Sequence, residues 1–411
     1  MSGEWPAAEL RLVVRLGVAL VRSGEAVDVV KEHLVVVAGR LGLRDVDIVV
    51  LPTTLFVRTG PASDSRQVFE SVPRAGLRLD QISALWELLG RAERSEVGPA
   101  AALEELAALE ARPAPFGAVA RTLGHGVLCV GFALLLQASL AGLLVAFLLG
   151  VGVGLAKLIS MPELQPVLPV LVSFGVATAT FALADVYGAA TTLWGLIPPL
   201  VTLLPGAAIT TGTMELAAAQ TVSGASRLVE GLVDLAMLSF GIVTAVALVG
   251  VPPAVLLDEA PDTLGAWAPW AGLAVITVGH HLHLCAPRHT LPLILWVMAV
   301  AFGAQSLGAT LVSVELAAFF GALAMTPLAL HLGHRPQGPP SMVLFLPGFW
   351  LLVPGAAGLV GVTQYVGSGL SIDSFADTLF TVLEIALGVL VGTAAHRAAR
   401  ESLTSRRRAR A

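Results

Sequence analysis

Apolar and polar positions follow two patterns in the first 112 residues. Over residues 8–22 and 25–41, apolar residues recur at the three- and four-residue spacing of an amphipathic helix. The stretches 46–59 and 65–72 are β-branched and extended in character, and helix-start signals predict further helices over 81–94 and 99–111. Residues 1–112 therefore predict a small α/β domain, large enough to bury its own core.

From Phe116 onward the pattern changes to long apolar runs. Most have the roughly 17 to 25 residues that cross about 30 Å of hydrocarbon. We predict ten spans, over residues 117–136, 138–159, 166–186, 188–205, 227–250, 265–284, 290–306, 308–330, 341–354 and 374–396. A hydrophobic share of 56% and a mean hydropathy of +0.83 agree with an integral membrane protein.

The charges mark the same boundaries. Residues 1–112 hold 13 Lys/Arg and 16 Asp/Glu, whereas residues 113–396 hold only 5 and 12, and six arginines fall in the last fifteen residues. We predict four regions: an N-terminal domain over 1–112, membrane regions over 113–255 and 256–396, and a basic tail over 397–411.

Basic residues in short loops remain on the cytoplasmic side of a membrane. With the N-terminal domain inside, ten spans place all five basic residues of the membrane regions at cytoplasmic ends, together with the arginine tail. The N-terminus lacks the features of a secretory signal. We therefore expect a multi-pass protein of the plasma membrane with both termini in the cytoplasm.

An internal repeat divides the membrane regions. The stretch "WGLIPPLVTLLPGAA" (194–208) resembles "LFLPGFWLLVPGAAG" (344–358) at an offset of 149 residues, and the same offset carries the first span onto the sixth. We predict a polytopic α-helical membrane protein with two five-span inverted repeats and an N-terminal cytoplasmic α/β domain, an arrangement typical of transporters. The two PGAA breaks predict gating loops, at Pro205, Gly206, Pro354 and Gly355.

Acidic residues inside apolar segments need an explanation, because a charge at the bilayer centre costs about 3 kcal/mol on insertion scales. Glu215 lies in the first break, and Asp234 and Glu384 lie in the fifth and tenth spans, about one repeat offset apart. They are candidates for proton coupling or for holding a substrate ammonium group. Ion pairing of Asp234 and Glu384 with Arg227, or polar helix contacts, remains an alternative. Further candidate substrate contacts are Thr210, Thr211, Thr213, Gln364 and Asp185.

Several chemistries lack a signal. The chain has no phosphate-binding GxxxxGK[ST] loop and no hydrolase or metalloprotease motif, and its basic tail has no interleaved aromatic residues for nucleic acid. We predict no catalytic residue, no metal site and no cofactor. The expected partners are a small polar solute, protons and the lipid bilayer, and a homo-oligomer is left open.

The chain resembles the threonine/serine exporter family. The resemblance is carried by "RSGEAVDVVKEHLVVVAGRLGL" (22–43), "LLPGAAITTGTMELAAAQTVSGASRLVEGL" (203–232) and "FLPGFWLLVPGAAG" (345–358), and extends over nearly the whole chain. It implies proton-driven export of threonine and serine. Split-type relatives imply dicarboxylate export as an alternative. A membrane-anchored hydrolase that acts through the N-terminal domain is a second alternative, although Ser23, His33 and Asp28 form no recognisable nucleophile–base constellation. An uncoupled channel or sensor is a third.

Overall fold

The computed structural model describes residues 8–61, 65–159, 164–183, 192–250, 264–333, 335, 338–352 and 373–408. The chain divides into two compact units, of which the first combines Met1–Ala114 with Thr211–Arg227, and the second combines Pro115–Thr210 with Leu228–Ala411. We predicted residues 211–227 as part of the first membrane region. Nothing in the sequence indicates that they group with the N-terminal residues.

The N-terminal part of the first unit contains four helices and three strands. The helices are α1 (Ala8–Arg22), α2 (Val27–Arg40), α3 (Leu79–Glu93) and α4 (Pro99–Ala111), and the strands are β1 (Asp47–Leu51), β2 (Thr54–Thr59) and β3 (Arg66–Ser71). These elements lie within a few residues of the predicted helices and extended stretches, but the stretch 46–59, predicted as one extended segment, forms two strands, β1 and β2. Their apolar faces share one hydrophobic core.

The strands form one antiparallel sheet in the order β1-β2-β3. Alternation along β1 and β2 buries Ile48, Val50, Leu55 and Val57, with Val50 opposite Leu55 and Ile48 opposite Val57. The opposite face carries Phe56 and Phe69, whose rings lie 4.9 Å apart between centroids. One face of the sheet therefore meets the helices, as the period of two requires.

The second unit is helical in its described residues. Its helices begin with α5 (Ala118–Leu135), α6 (Leu140–Ala156), α7 (Leu168–Ala182) and α8 (Thr192–Leu200), followed by a 3-10 turn over Val201–Leu203. Helices α9 (Gly206–Ala217) and α10 (Thr221–Val249) contain residues of both units. The remaining helices are α11 (Ala268–Leu284), α12 (Leu291–Leu311), α13 (Ala317–Gly333), α14 (Ser341–Leu352) and α15 (Asp373–Arg408).

Each of the ten predicted apolar segments overlaps one of these helices, and several of the helices extend beyond the predicted bounds. Four helical stretches are long and apolar enough to cross a membrane, namely Ala118–Leu135, Thr221–Val249, Arg288–Leu311 and Phe380–Ser402. A fifth candidate is the bent pair Gly195–Leu203 and Gly206–Ala217, and shorter apolar helices include α6, α7 and α13. The described residues thus support a polytopic helical membrane protein with four or five candidate spans, and the count of ten stays a prediction.

Helices α5 and α11 approach each other along a seam of glycines. A Cβ atom on Gly131 would lie 2.6 Å from the Ile276 nitrogen, and one on Gly272 would lie 2.7 Å from the Gly131 oxygen. Nearer the start of α5, a Cβ on Gly124 would lie 2.8 Å from the His283 nitrogen. The two helices therefore run antiparallel, and small residues permit the close backbone contact that stabilises helix pairs in lipid.

Candidate functional site

The helical break in "LLPGAA" lies at Leu204 and Pro205, and Gly206 is the first residue of the next helix. The gating role predicted for Pro205 and Gly206 stays a prediction. Helix α8 ends at Leu200, the 3-10 turn follows, and α9 begins at Gly206, with the axes of the two helical stretches bent by 56°. The Pro205 carbonyl accepts a hydrogen bond from the Ile209 N–H and so starts the new helix. Its matched counterparts, Pro354 and Gly355, lie outside the described residues, as do Gln364 and Asp185.

The predicted threonines lie on α9. Thr210 is fully buried and its hydroxyl has no hydrogen-bond partner among the described residues, while Thr211 is buried and Thr213 is half-buried. Hydroxyls at these depths normally find a partner. Thr210 is therefore a buried hydroxyl whose hydrogen-bonding capacity is unused among the described residues.

Glu215 contacts residues from the start of α2. Its Oε1 accepts a hydrogen bond of 3.0 Å from the Val27 N–H, and Arg227 donates through Nε to Oε2 at 3.1 Å. Arg227 also donates to the Glu25 carbonyl at 3.1 Å. The Glu215 side chain is fully buried and that of Arg227 is 12% exposed. We call these four residues, Glu25, Val27, Glu215 and Arg227, the latch.

The local backbone explains how the latch assembles. Gly24 adopts a φ of 88°, a left-handed conformation that turns the chain from α1 into α2. The N-cap residue of α2, Ala26, has no side chain that can cap the helix, so Glu215 satisfies one free N–H of the first turn. The carboxylate also interacts favourably with the positive end of the helix dipole.

A close approach of α9 and α10 positions the two charged residues. A Cβ atom on Gly224 would lie 2.5 Å from the Gly212 oxygen, so only glycine fits there without movement. The latch joins two of the three segments that carry the resemblance, 22–43 and 203–232. It also identifies Glu215 as a partner of Arg227, and the pairing of Asp234 or Glu384 with Arg227 stays an untested alternative.

Glu25 is the ionisable side chain of the latch that lacks a full set of partners. It is 8% exposed, and its Oε1 has no hydrogen-bond partner among the described residues. Burial raises the pKa of its carboxyl to about 7; His33 and Arg227 lower it and Asp28 raises it further. This group therefore changes its charge near neutral pH.

His33 lies beside Glu93 on the neighbouring helix α3. Its Nδ1 is 2.5 Å from Glu93 Oε1, and its ring packs edge-on against Trp86. Burial opposes the charged form, but the hydrogen bond to Glu93 and the surrounding carboxylates raise the pKa of His33 above its ordinary value. Ser23 is buried and donates its hydroxyl to the Leu20 carbonyl at 2.6 Å.

The two acids of the predicted membrane spans differ in burial. Asp234 is half-buried on α10, whereas Glu384 is only 4% exposed on α15. The Glu384 carboxylate accepts a hydrogen bond from the backbone of Phe319, in the first turn of α13. Its Oε1 has no partner among the described residues. Glu384 is thus a buried acid at the positive end of a helix, with one oxygen unused.

A polar network in the second unit was not selected by the sequence reasoning. His125 Nε2 lies 2.7 Å from Thr202 Oγ1, and Lys157 Nζ donates to the same hydroxyl at 2.7 Å. The His283 ring lies 4.6 Å from that of His125 between centroids. From the sequence, Lys157 is one of the five basic residues assigned to cytoplasmic ends of spans, and His125 was not among the predicted site residues. The sequence feature that could have indicated this network is Thr202, a polar residue in the 3-10 turn shortly before Pro205.

Comparison with known protein families gives a match over the first part of the chain. A family model described as "Putative threonine/serine exporter" matches residues 11–249, from within α1 to the last residue of α10. The match includes both segments that form the latch. No significant match was found among curated proteins or solved structures. Since the family match covers more than half of the 411 residues, the chain belongs to the threonine/serine exporter family.

Proposed function

We propose that this protein is a secondary active exporter of threonine and serine, driven by the proton motive force across the plasma membrane. The observation that carries the proposal is Glu384, a carboxyl group that is 4% exposed on a candidate membrane span and has an unused oxygen. Ionisable groups at such positions are expensive and usually serve ion or substrate movement. In this account Glu384 binds and releases the coupling proton, together with Asp234 in the other repeat.

Alternating access needs two halves that can exchange roles, and the helix positions support two inverted repeats. Shifted by 149 residues, the first residues of α5, α6, α7, α8 and α10 fall within three residues of the starts of α11, α12, α13, α14 and α15. Residues 113–255 and 256–396 are accordingly the proposed repeats, between a cytoplasmic domain over 1–112 and a cytoplasmic tail over 397–411.

The glycine seam adds a second argument for inversion. Adding the repeat offset to Gly131 gives a position within one residue of Gly279, and subtracting it from Ile276 gives a position within one residue of Leu128. Gly279 and Leu128 also form a close pair. Such self-complementary contact is what a two-fold axis produces between equivalent helices. The antiparallel course of α5 and α11 fits repeats that cross the membrane in opposite directions.

The latch gives the N-terminal domain a place in this function. We propose that Glu215 and Arg227 hold the segment after the helical break against the start of α2, so that the cytoplasmic domain controls how far the break can move. The assignment of Glu215 to coupling or substrate contact remains a prediction beside this role. Thr210, Thr211 and Thr213 are proposed solute contacts.

Transport by purified full-length protein in proteoliposomes tests the proposal. Labelled L-threonine, L-serine and succinate are offered in parallel, with and without an imposed pH gradient. We expect uphill movement of the two amino acids that requires the gradient. Uphill movement of succinate alone would favour the dicarboxylate alternative, and equilibration without concentration would indicate a channel.

A further inference from the structure

Lys157 is a half-buried cation whose side chain forms no ion pair with any of the described residues. Its Nζ donates to the Thr202 hydroxyl at 2.7 Å and to the Thr202 carbonyl at 3.4 Å. Among the described residues, no carboxylate lies within 4.0 Å of the side-chain nitrogens of Lys157 or Arg121. The chain contains 24 Lys and Arg in all, of which only Lys31 and Lys157 are lysines.

The hydrogen bonds around Lys157 have one consistent direction. The Gly150 carbonyl lies 2.7 Å from His125 Nδ1 and can only accept, so the Nδ1 of His125 carries a proton. The Thr202 hydroxyl then donates to Nε2 of the neutral ring, and its oxygen accepts from Lys157. An ammonium group has three protons, and the two contacts with Thr202 use two of them. The third proton of Lys157 is left for another acceptor.

The neighbouring groups increase the positive charge. Arg121 lies near enough to Lys157 for the two cations to repel each other, and its Nε is buried without a partner among the described residues. His283 Nδ1 donates to the Arg121 carbonyl at 3.0 Å, so this ring also presents a donor and no negative charge. Two like charges inside a membrane unit are costly, and an anion bound between them would remove that cost.

We propose that Lys157, with Thr202 and Arg121, binds the carboxylate of the transported solute, and that His125 is a positioning residue that holds Thr202. The proposal rests on the export function proposed above. Threonine, serine and dicarboxylates all carry a carboxylate, so this site can bind each of these solutes. Discrimination among the solutes then depends on other contacts. A lysine at a helix end usually extends toward lipid headgroups; Lys157 instead contacts the 3-10 turn at the helical break.

The first test is transport by full-length variants in phosphatidylcholine proteoliposomes. Lys157→Met should raise the KM for L-threonine about tenfold or more, because an ion-assisted hydrogen bond to the carboxylate is lost. Lys157→Arg, which keeps the charge, should recover part of the affinity. Lys31→Met, at the exposed lysine of α2, is the matched control and should behave as wild type. A wild-type KM in folded Lys157→Met would overturn the site.

The second test uses the wild-type chain and does not depend on a variant that folds. Reductive methylation with ¹³C-formaldehyde gives two lysine signals, assigned with Lys31→Arg. L-Threonine and succinate should shift the signal of Lys157 and leave that of Lys31 fixed, while L-threoninol, which lacks the carboxylate, should shift neither. If none of these ligands moves the Lys157 signal, the site is wrong even when wild-type transport is normal.

Lipid phosphate is the rival source of an anion. The same spectra recorded with added phosphatidylglycerol distinguish it, since a shift by the lipid with no further effect of L-threonine would overturn the proposal. If wild type transports none of the solutes while L-threonine shifts the Lys157 signal, the export function fails and the carboxylate site stands.

Discussion

Replacing Glu215 by alanine should release the latch. The substitution leaves the Arg227 guanidinium, 12% exposed, without its carboxylate, and removes the acceptor of the Val27 N–H. Breaking one side of a buried ion pair costs about 3–5 kcal/mol. Because Arg227 is partly exposed and keeps its bond to the Glu25 carbonyl, we expect the lower end, about 3 kcal/mol.

Hydrogen exchange of full-length protein in detergent measures this loss locally. A loss of about 3 kcal/mol should speed exchange in the first turn of α2 and in residues 211–227 on the order of 100-fold, since 1.4 kcal/mol is a factor of ten. Glu215→Gln keeps an acceptor for Val27 and should have a smaller effect. Glu230→Ala, at an exposed position of α10, is the matched control.

The location of the faster hydrogen exchange in Glu215→Ala decides whether the latch assignment is correct. Exchange that rises at both ends of the latch and stays constant in α3 and α4 supports the assignment. Unchanged exchange at the start of α2 in Glu215→Ala would refute the reasoning, because the Val27 amide would then not depend on this carboxylate.

Two further predictions concern pH and helix packing. The pKa of Glu25 rises from 4.5 to about 7 in the folded chain, so its contribution to stability is fully present below pH 4.5 and is lost as the pH rises toward 7, by about 3 kcal/mol in all. Glu25→Gln should therefore stabilise α2 at pH 8 and have little effect at pH 4.5, when variant and wild type are compared by hydrogen exchange at the same pH. An equal difference between variant and wild type at both pH values would contradict the burial argument. Gly131→Leu should destabilise the α5–α11 seam by about 1–3 kcal/mol through overpacking against Ile276, whereas Gly152→Leu, which has open space, should be neutral. Thermal unfolding in detergent compares them, and equal midpoints would contradict the close packing.

Local patterns were sufficient to predict the elements. Helix α1 over Ala8–Arg22 follows from periodicity, and the strands lie in the stretches of β-branched character, although the turn between β1 and β2 was not predicted. Every long apolar segment overlaps a helix. The break at Pro205 follows from the missing N–H of proline. The repeat offset was visible in sequence because two prolines recur at one spacing, and the helix starts follow it closely.

Contacts between distant residues could not be predicted in the same way. Glu215 and Val27 are separated by 188 positions, and no periodicity reports that a carboxylate caps a helix so far away. The Lys157–Thr202 contact could not be predicted for the same reason, because the two residues are 45 positions apart. Charge alone suggested a loop marker for Lys157, because the positive-inside rule describes where a cation lies along the membrane normal and not what it bonds.

Coupled movement of protons and threonine tests the central claim most directly. In proteoliposomes that contain a pH-sensitive dye, adding L-threonine to one side should move protons across the membrane with wild-type protein. Glu384→Gln, which cannot carry a proton, should abolish this movement while threonine still exchanges between the two sides. Threonine transport without any proton movement in wild type, or unchanged proton movement in Glu384→Gln, would contradict the account.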